Sequence, residues 1–108
     1  MNKQYIVFCF HNIIKEFDTS VILITDNLVQ AVDTVQRVEK LGYDLVKAES
    51  YAAVAEMVPG KVYTKKEWDN LSTGPKVCTY HYFGGNLRLK WHCIKTHEEY
   101  LQKTNSEK

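Results

Sequence analysis

The chain has 108 residues, of which 44% are hydrophobic and 25% charged, with a formal net charge of +1. A single domain, residues 1–108, is the expectation at this length, and 2 Pro and 5 Gly exclude collagen-like, Pro-rich or long-linker chains. Thirteen aromatic residues (7 Tyr, 4 Phe, 2 Trp) supply enough large apolar surface to argue against disorder.

The first strand is expected over Gln4–Ile14, where Tyr5, Val7 and Cys9 alternate with Ile6, Phe8 and Phe10. Apolar residues on both parities point to a strand covered on both faces. That apolar run of six is too short for a secretory signal or a membrane span, so a cytoplasmic protein that does not enter the membrane is expected. Phe17–Ser20 reads as a turn, and Val21–Thr25 as the second strand of an antiparallel hairpin.

Leu28, Val32, Val35 and Val38 or Leu41 recur at helical spacing, predicting one long helix over residues 26–41. Thr25 or Asp26 would cap it, and Gly42 would stop it, with Tyr43 folding back on Val38. Tyr43–Glu49 is expected to form a short strand and Ser50–Val58 a short helix ended by Pro59-Gly60, with a strand over the same residues as the alternative. Thr64-Lys65-Lys66-Glu67 has the form of a capping box, opening a brief helix through Trp68 and Leu71 before a loop at residues 72–75.

The final third carries the strongest hairpin signal. Lys76–Phe83 runs into Gly84-Gly85-Asn86, and Leu87–Ile94 runs out with strict alternation. With Gly85-Asn86 as the turn, Tyr80 would oppose Trp91 and Cys78 would oppose Cys93. One face then carries Cys78, Tyr80, Tyr82, Leu89, Trp91 and Cys93. The other carries Thr79, His81, Phe83, Arg88, Lys90 and His92. A short polar helix is expected from Thr96, with residues 98–108 as a fraying helical tail. The fold class is therefore α+β: an antiparallel sheet built from an N-terminal and a C-terminal hairpin, with the long helix and short helices packed on it.

Charge is unevenly spread. Residues 1–60 hold five Lys/Arg against eight Asp/Glu, whereas residues 61–97 hold seven against two, a net of −3 against +5. The twelve Lys to two Arg resemble the composition of small accessory proteins of A+T-rich bacteria or their phages.

Four His and three Cys raise the question of a metal, but no CxxC or HxxxH spacing occurs, and Cys78 and Cys93 face away from His81 and His92. No metal and no other cofactor is expected. Cys9 and His11 share a strand face and define the one enzyme candidate, a thiolate–imidazole pair, although no Gly-rich turn follows to supply an oxyanion site. An odd cysteine count suits a reduced protein without a disulfide framework. Gly84-Gly85-Asn86 lacks the following helix and Lys-Ser/Thr of a phosphate loop. No catalytic constellation emerges, and the reading leans away from an enzyme.

What remains is the polar face of the last hairpin. Lys76, His81, Phe83, Arg88, Lys90 and His92 interleave cations and an aromatic ring, with Lys65 and Lys66 just upstream and no carboxylate between Lys76 and Lys95. This surface suits a non-enzymatic regulator or inhibitor that binds a nucleic-acid-handling protein. A direct single-stranded nucleic-acid binder is the alternative, and an exposed strand edge would also allow a homodimer.

Overall fold

A computed structural model describes residues 3–13, 16–43, 45, 51–58, 60–69 and 76–106, with residues 11–19, 68, 69 and 106 described by backbone alone. Five strands form one sheet: β1 (Gln4–Ile13), β2 (Glu16–Thr25), β3 (Tyr51–Met57), β4 (Cys78–Phe83) and β5 (Asn86–Trp91). Their order is β2-β1-β3-β4-β5, and every neighbouring pair is antiparallel. Helix α1 (Leu28–Val35) links β2 to β3, α2 (Lys65–Asp69) lies between β3 and β4, and α3 (Ile94–Ser106) follows β5.

β1 lies between β2 and β3, as its two apolar parities require. Tyr5, Val7 and Cys9 enter the core that α1 covers, while Ile6 and Phe8 pack on the opposite face against Ala53 and Ala55. β2 is longer than expected. Residues 17–20 pair with Cys9–Asn12 rather than forming a turn, because ladder hydrogen bonds outweigh local turn preference and an edge strand tolerates polar residues.

The long helix is not found; α1 is eight residues long. Leu28, Ala31, Val32 and Val35 are all buried, so the apolar face is the one expected. Past Val35 the chain tightens into turns, with Arg37 N–H donating to Thr34 O and Lys40 N–H to Arg37 O, while Val38 remains buried. Spacing reports which side chains face the core, not which carbonyl each amide finds. The cap is Asn27, whose Oδ1 accepts from Gln30 N–H at 3.0 Å, in place of Thr25 or Asp26. Thr25 supports it by accepting from Asn27 N–H. Gly42 closes the turns past Val35 and not the helix itself, which ends at Val35 with Gln36 as its cap. At φ +103° it lets Tyr43 N–H reach Val38 O while its own N–H reaches Glu39 O, the paired bonds of a Schellman motif.

Tyr43 and Leu45 belong to no strand, and the rest of the strand expected at 43–49 lies outside the described residues. The helix expected at 50–58 is instead β3. Ala52, Ala53, Val54 and Ala55 are buried in succession between β1 and β4. Alanine favours helix by only a few tenths of a kcal/mol per residue, and two hydrogen-bonded ladders override it. The capping box forms, with Glu67 N–H donating to Thr64 Oγ1 and Thr64 N–H to Glu67 Oε1; Leu71 and the loop at 72–75 lie outside the described residues.

The β4–β5 hairpin turns on Gly84 and Gly85, at φ +62° and +89°, as a turn with two left-handed central residues demands. Its register therefore differs by two residues from that expected. Cys78 opposes Trp91 and Tyr80 opposes Leu89. A shift of two preserves the faces, but it separates Cys78 from Cys93, and all three cysteines are free. α3 starts two residues before Thr96 and packs over the core face of β5, where Trp91 stacks on His97 at 4.6 Å and meets Tyr100 at 5.4 Å. Among the described residues no helix is long and apolar enough to cross a membrane.

Candidate functional site

The face of β4–β5 turned away from α1 takes its side chains from alternate residues. The sheet register aligns them in rows. Tyr51, His81 and Arg88 form one row across β3, β4 and β5, and Ala53, Thr79 and Lys90 form the next. Neighbours directly across a ladder stand about 4.5–5.5 Å apart at Cβ, close enough for their charges to sum. His92, just beyond β5, is held by its N–H on Val77 O and by a 2.9 Å bond between its Nε2 and Thr79 Oγ1.

His81, Phe83, Arg88 and Lys90 line an open concavity of about 460 Å³, completed by Leu89 and Trp91 of β5. Phe83 meets the His81 ring edge-on at 6.2 Å and remains 65% exposed, a large aromatic surface left in water. Lys76 enters from the start of β4 with its Nζ 5.7 Å from the centre of the Tyr51 ring. Partial burial pulls the Lys76 pKa down. His92 is lowered as well, first by burial and then by the positive charges of Lys90, Lys76 and His81. Lys90, Lys76 and His81 thus act together on one imidazole.

Six of the eight sequence candidates thus gather around the hairpin: Lys76, His81, Phe83, Arg88, Lys90 and His92. Lys65 and Lys66 are exposed on α2 and are neither among the residues lining the concavity nor among those acting on His92. Thr79 lies on the face as expected, whereas Tyr51 joins it unforeseen because its segment reads as helical. The two-residue Gly-Gly turn was the signal for the true register, and with it for the Thr79–Lys90 pairing.

No protein-family model, curated protein or solved structure matches this chain.

The cysteine chemistry separates into two environments. Burial, with a smaller push from Glu39, raises the Cys9 pKa to about 11, which keeps it a protonated core thiol at neutral pH. The side chain of His11 lies outside the described residues. Burial raises Cys78 to about 12. Cys93, half-buried ahead of α3, is lowered instead, first by the Thr96 hydroxyl, which donates to its Sγ at 3.2 Å, and then by the Thr96 and Lys95 N–H groups. Among the described residues no three His, Cys, Asp or Glu side chains converge as a metal site would require.

Proposed function

We propose that this chain is a non-enzymatic interaction protein that holds an acidic protein partner on the outward face of β4–β5. The observation that carries this reading is the convergence of Arg88, Lys90 and His81 around one concavity, with Lys76 and His92 beside it on the same face and no carboxylate between residues 76 and 95. A surface of one charge sign steers an oppositely charged partner and rejects others. The protonated, buried Cys9 argues against its use as a nucleophile. A nucleic-acid-handling protein regulated or inhibited in this way would present an acidic patch of its own to the hairpin. The exposed Phe83 favours one second reading, a single nucleic-acid strand with a base stacked on the ring and phosphates on Arg88 and Lys90.

Affinity capture from the source cell, with and without nuclease, tests both readings when wild type and the Arg88→Glu, Lys90→Glu double variant are run in parallel. A protein partner is expected to survive nuclease, to weaken as salt rises, and to bind the double variant about tenfold or more weakly. Loss of capture on nuclease treatment transfers the face to nucleic acid. Equal capture by both proteins places the binding surface elsewhere.

A further inference from the structure

β5 is the last strand of the sheet, and its outer side has a definite chemistry. The Gly84-Gly85 turn makes Phe83 and Asn86 the first hydrogen-bonded pair of the hairpin. Bonded and non-bonded pairs then alternate, so the peptide groups of Asn86, Arg88 and Lys90 face β4. The bond from His92 N–H to Val77 O continues the same parity. The peptide groups of Leu87, Leu89 and Trp91 consequently face away from the sheet, and among the described residues no strand pairs with them. The contacts of α3 with Trp91 are made through the core face, where Trp91 meets His97 and Tyr100. Leu89 and Trp91 also line the open concavity beside Arg88 and Lys90.

We propose that the outer edge of β5 is a strand-docking site at which an extended acidic segment of a partner protein adds a sixth strand to the sheet. This rests on the reading of the hairpin as an acidic-partner surface, and it specifies how the partner engages. An added strand would satisfy the outward N–H and C=O groups of Leu87, Leu89 and Trp91. Every second side chain of that strand would fall beside Arg88 and Lys90 at cross-strand distance, where carboxylates pair well and cations repel. The same charges disfavour a second copy of this chain, since β5 against β5 would set Arg88 and Lys90 against their own counterparts. A nucleic-acid strand would meet the cations but offers no ladder that matches alternating peptide groups.

The test uses the full chain and a capped eight-residue peptide alternating glutamate and valine. The controls are the same peptide with lysine for glutamate, a twelve-residue oligothymidylate, and the protein alone across a concentration series. Amide hydrogen exchange is read at Leu87, Leu89 and Trp91. The acidic peptide is expected to slow these three amides about tenfold or more, and the lysine peptide to leave them unchanged. As a second measurement, Leu89→Pro removes an amide that β4 does not use, while Leu89→Ala removes the same packing and keeps the amide. The proline variant is expected to bind about tenfold more weakly than the alanine variant, the loss expected for one or two hydrogen bonds, and equal binding by the two overturns strand docking. Acidic-peptide binding that shifts Arg88 and Lys90 without slowing the three amides overturns strand docking and leaves the basic face standing. Binding of oligothymidylate but not of the acidic peptide overturns both. Slowing of these amides by self-association alone reassigns the edge to a second copy.

Discussion

β3 and β5 belong to the same sheet and have opposite surroundings. β3 has a strand on each side and buries Ala52, Ala53, Val54 and Ala55 in succession. Among the described residues β5 has one neighbour, and its residues alternate between exposed and half-buried along its whole length. The small side chains of β3 let both faces of the sheet close over it, whereas the long cations of β5 keep one face and one edge in water. The contrast separates two environments: β3 is closed in on both sides and both faces, and β5 leaves an edge and a face open to water.

The strongest way to break this contrast is to put a charge in each strand. Ala53→Glu would bury a carboxylate between Phe8 and Thr79 at a fully buried position. The cost is on the order of 5 kcal/mol, comparable with the whole stability of a small domain, and thermal unfolding followed by circular dichroism is expected to lose its cooperative transition. Lys90→Glu in β5 is expected to move Tm by no more than about 3 °C, as exposed substitutions do. A folded Ala53→Glu variant would mean that β3 is not central.

A smaller effect is expected at the turn that sets the β5 register. Gly85 sits at φ +89° with no atom within 4 Å of where a Cβ would stand, so alanine there meets only backbone strain. That strain is worth about 1–2 kcal/mol, a fall in Tm of roughly 5–10 °C. An unchanged Tm would show that the turn does not need its left-handed geometry.

Thiol labelling sharpens the comparison without altering stability. With a pKa of about 11, Cys9 is about one part in a thousand thiolate at pH 8, and Cys78 at about 12 is less ionised still. Cys93 is expected to react first with an aromatic disulfide reagent, and the other two only at the rate of unfolding. Labelling of Cys78 ahead of Cys93 in the folded protein would contradict the burial of β4.

The smallest effect is the pH dependence contributed by His92. Its folded-state pKa lies below the ordinary 6.5, owing to burial first and then to Lys90, Lys76 and His81. The unfolded chain therefore binds more protons between the two values. The stability this group contributes is complete above 6.5 and is lost as pH falls through the folded value. Wild type is expected to show a slightly steeper decline in Tm than His92→Gln as pH drops from 7 to 5. Matching slopes would remove the cation cluster from around the ring.

Legibility in the sequence followed coverage. β1 was readable because large residues filled both parities, and the face of α1 because valines recurred at helical spacing. The left-handed turn at Gly42 was readable from the glycine itself, but it closes the turns after α1 and not the helix. β3 was not readable, since four small residues buried on both faces show no period of two and alanine carries a helical preference. The length of α1 was hidden because Val38 stays in the core after the helical hydrogen bonds have tightened. Membership of the basic face survived a two-residue error in register, for side-chain parity repeats every two residues. The openness of the β5 edge was beyond reach, because strand order is a property of the whole sheet.

That strand order also bears on how the chain is made. β1 needs β3, and the partner of Gln4 is Met57, whereas β4 and β5 close across two glycines. The last hairpin can zip within microseconds of its synthesis. β1 has to wait while the 44 residues from Ile13 to Met57 are translated, roughly 2–9 s at ordinary elongation rates. Through that interval Ile6 and Phe8 lack Ala53 and Ala55, the neighbours that later cover them. β2, complete at Thr25, is the one strand of the five already available to shelter β1 from other nascent chains.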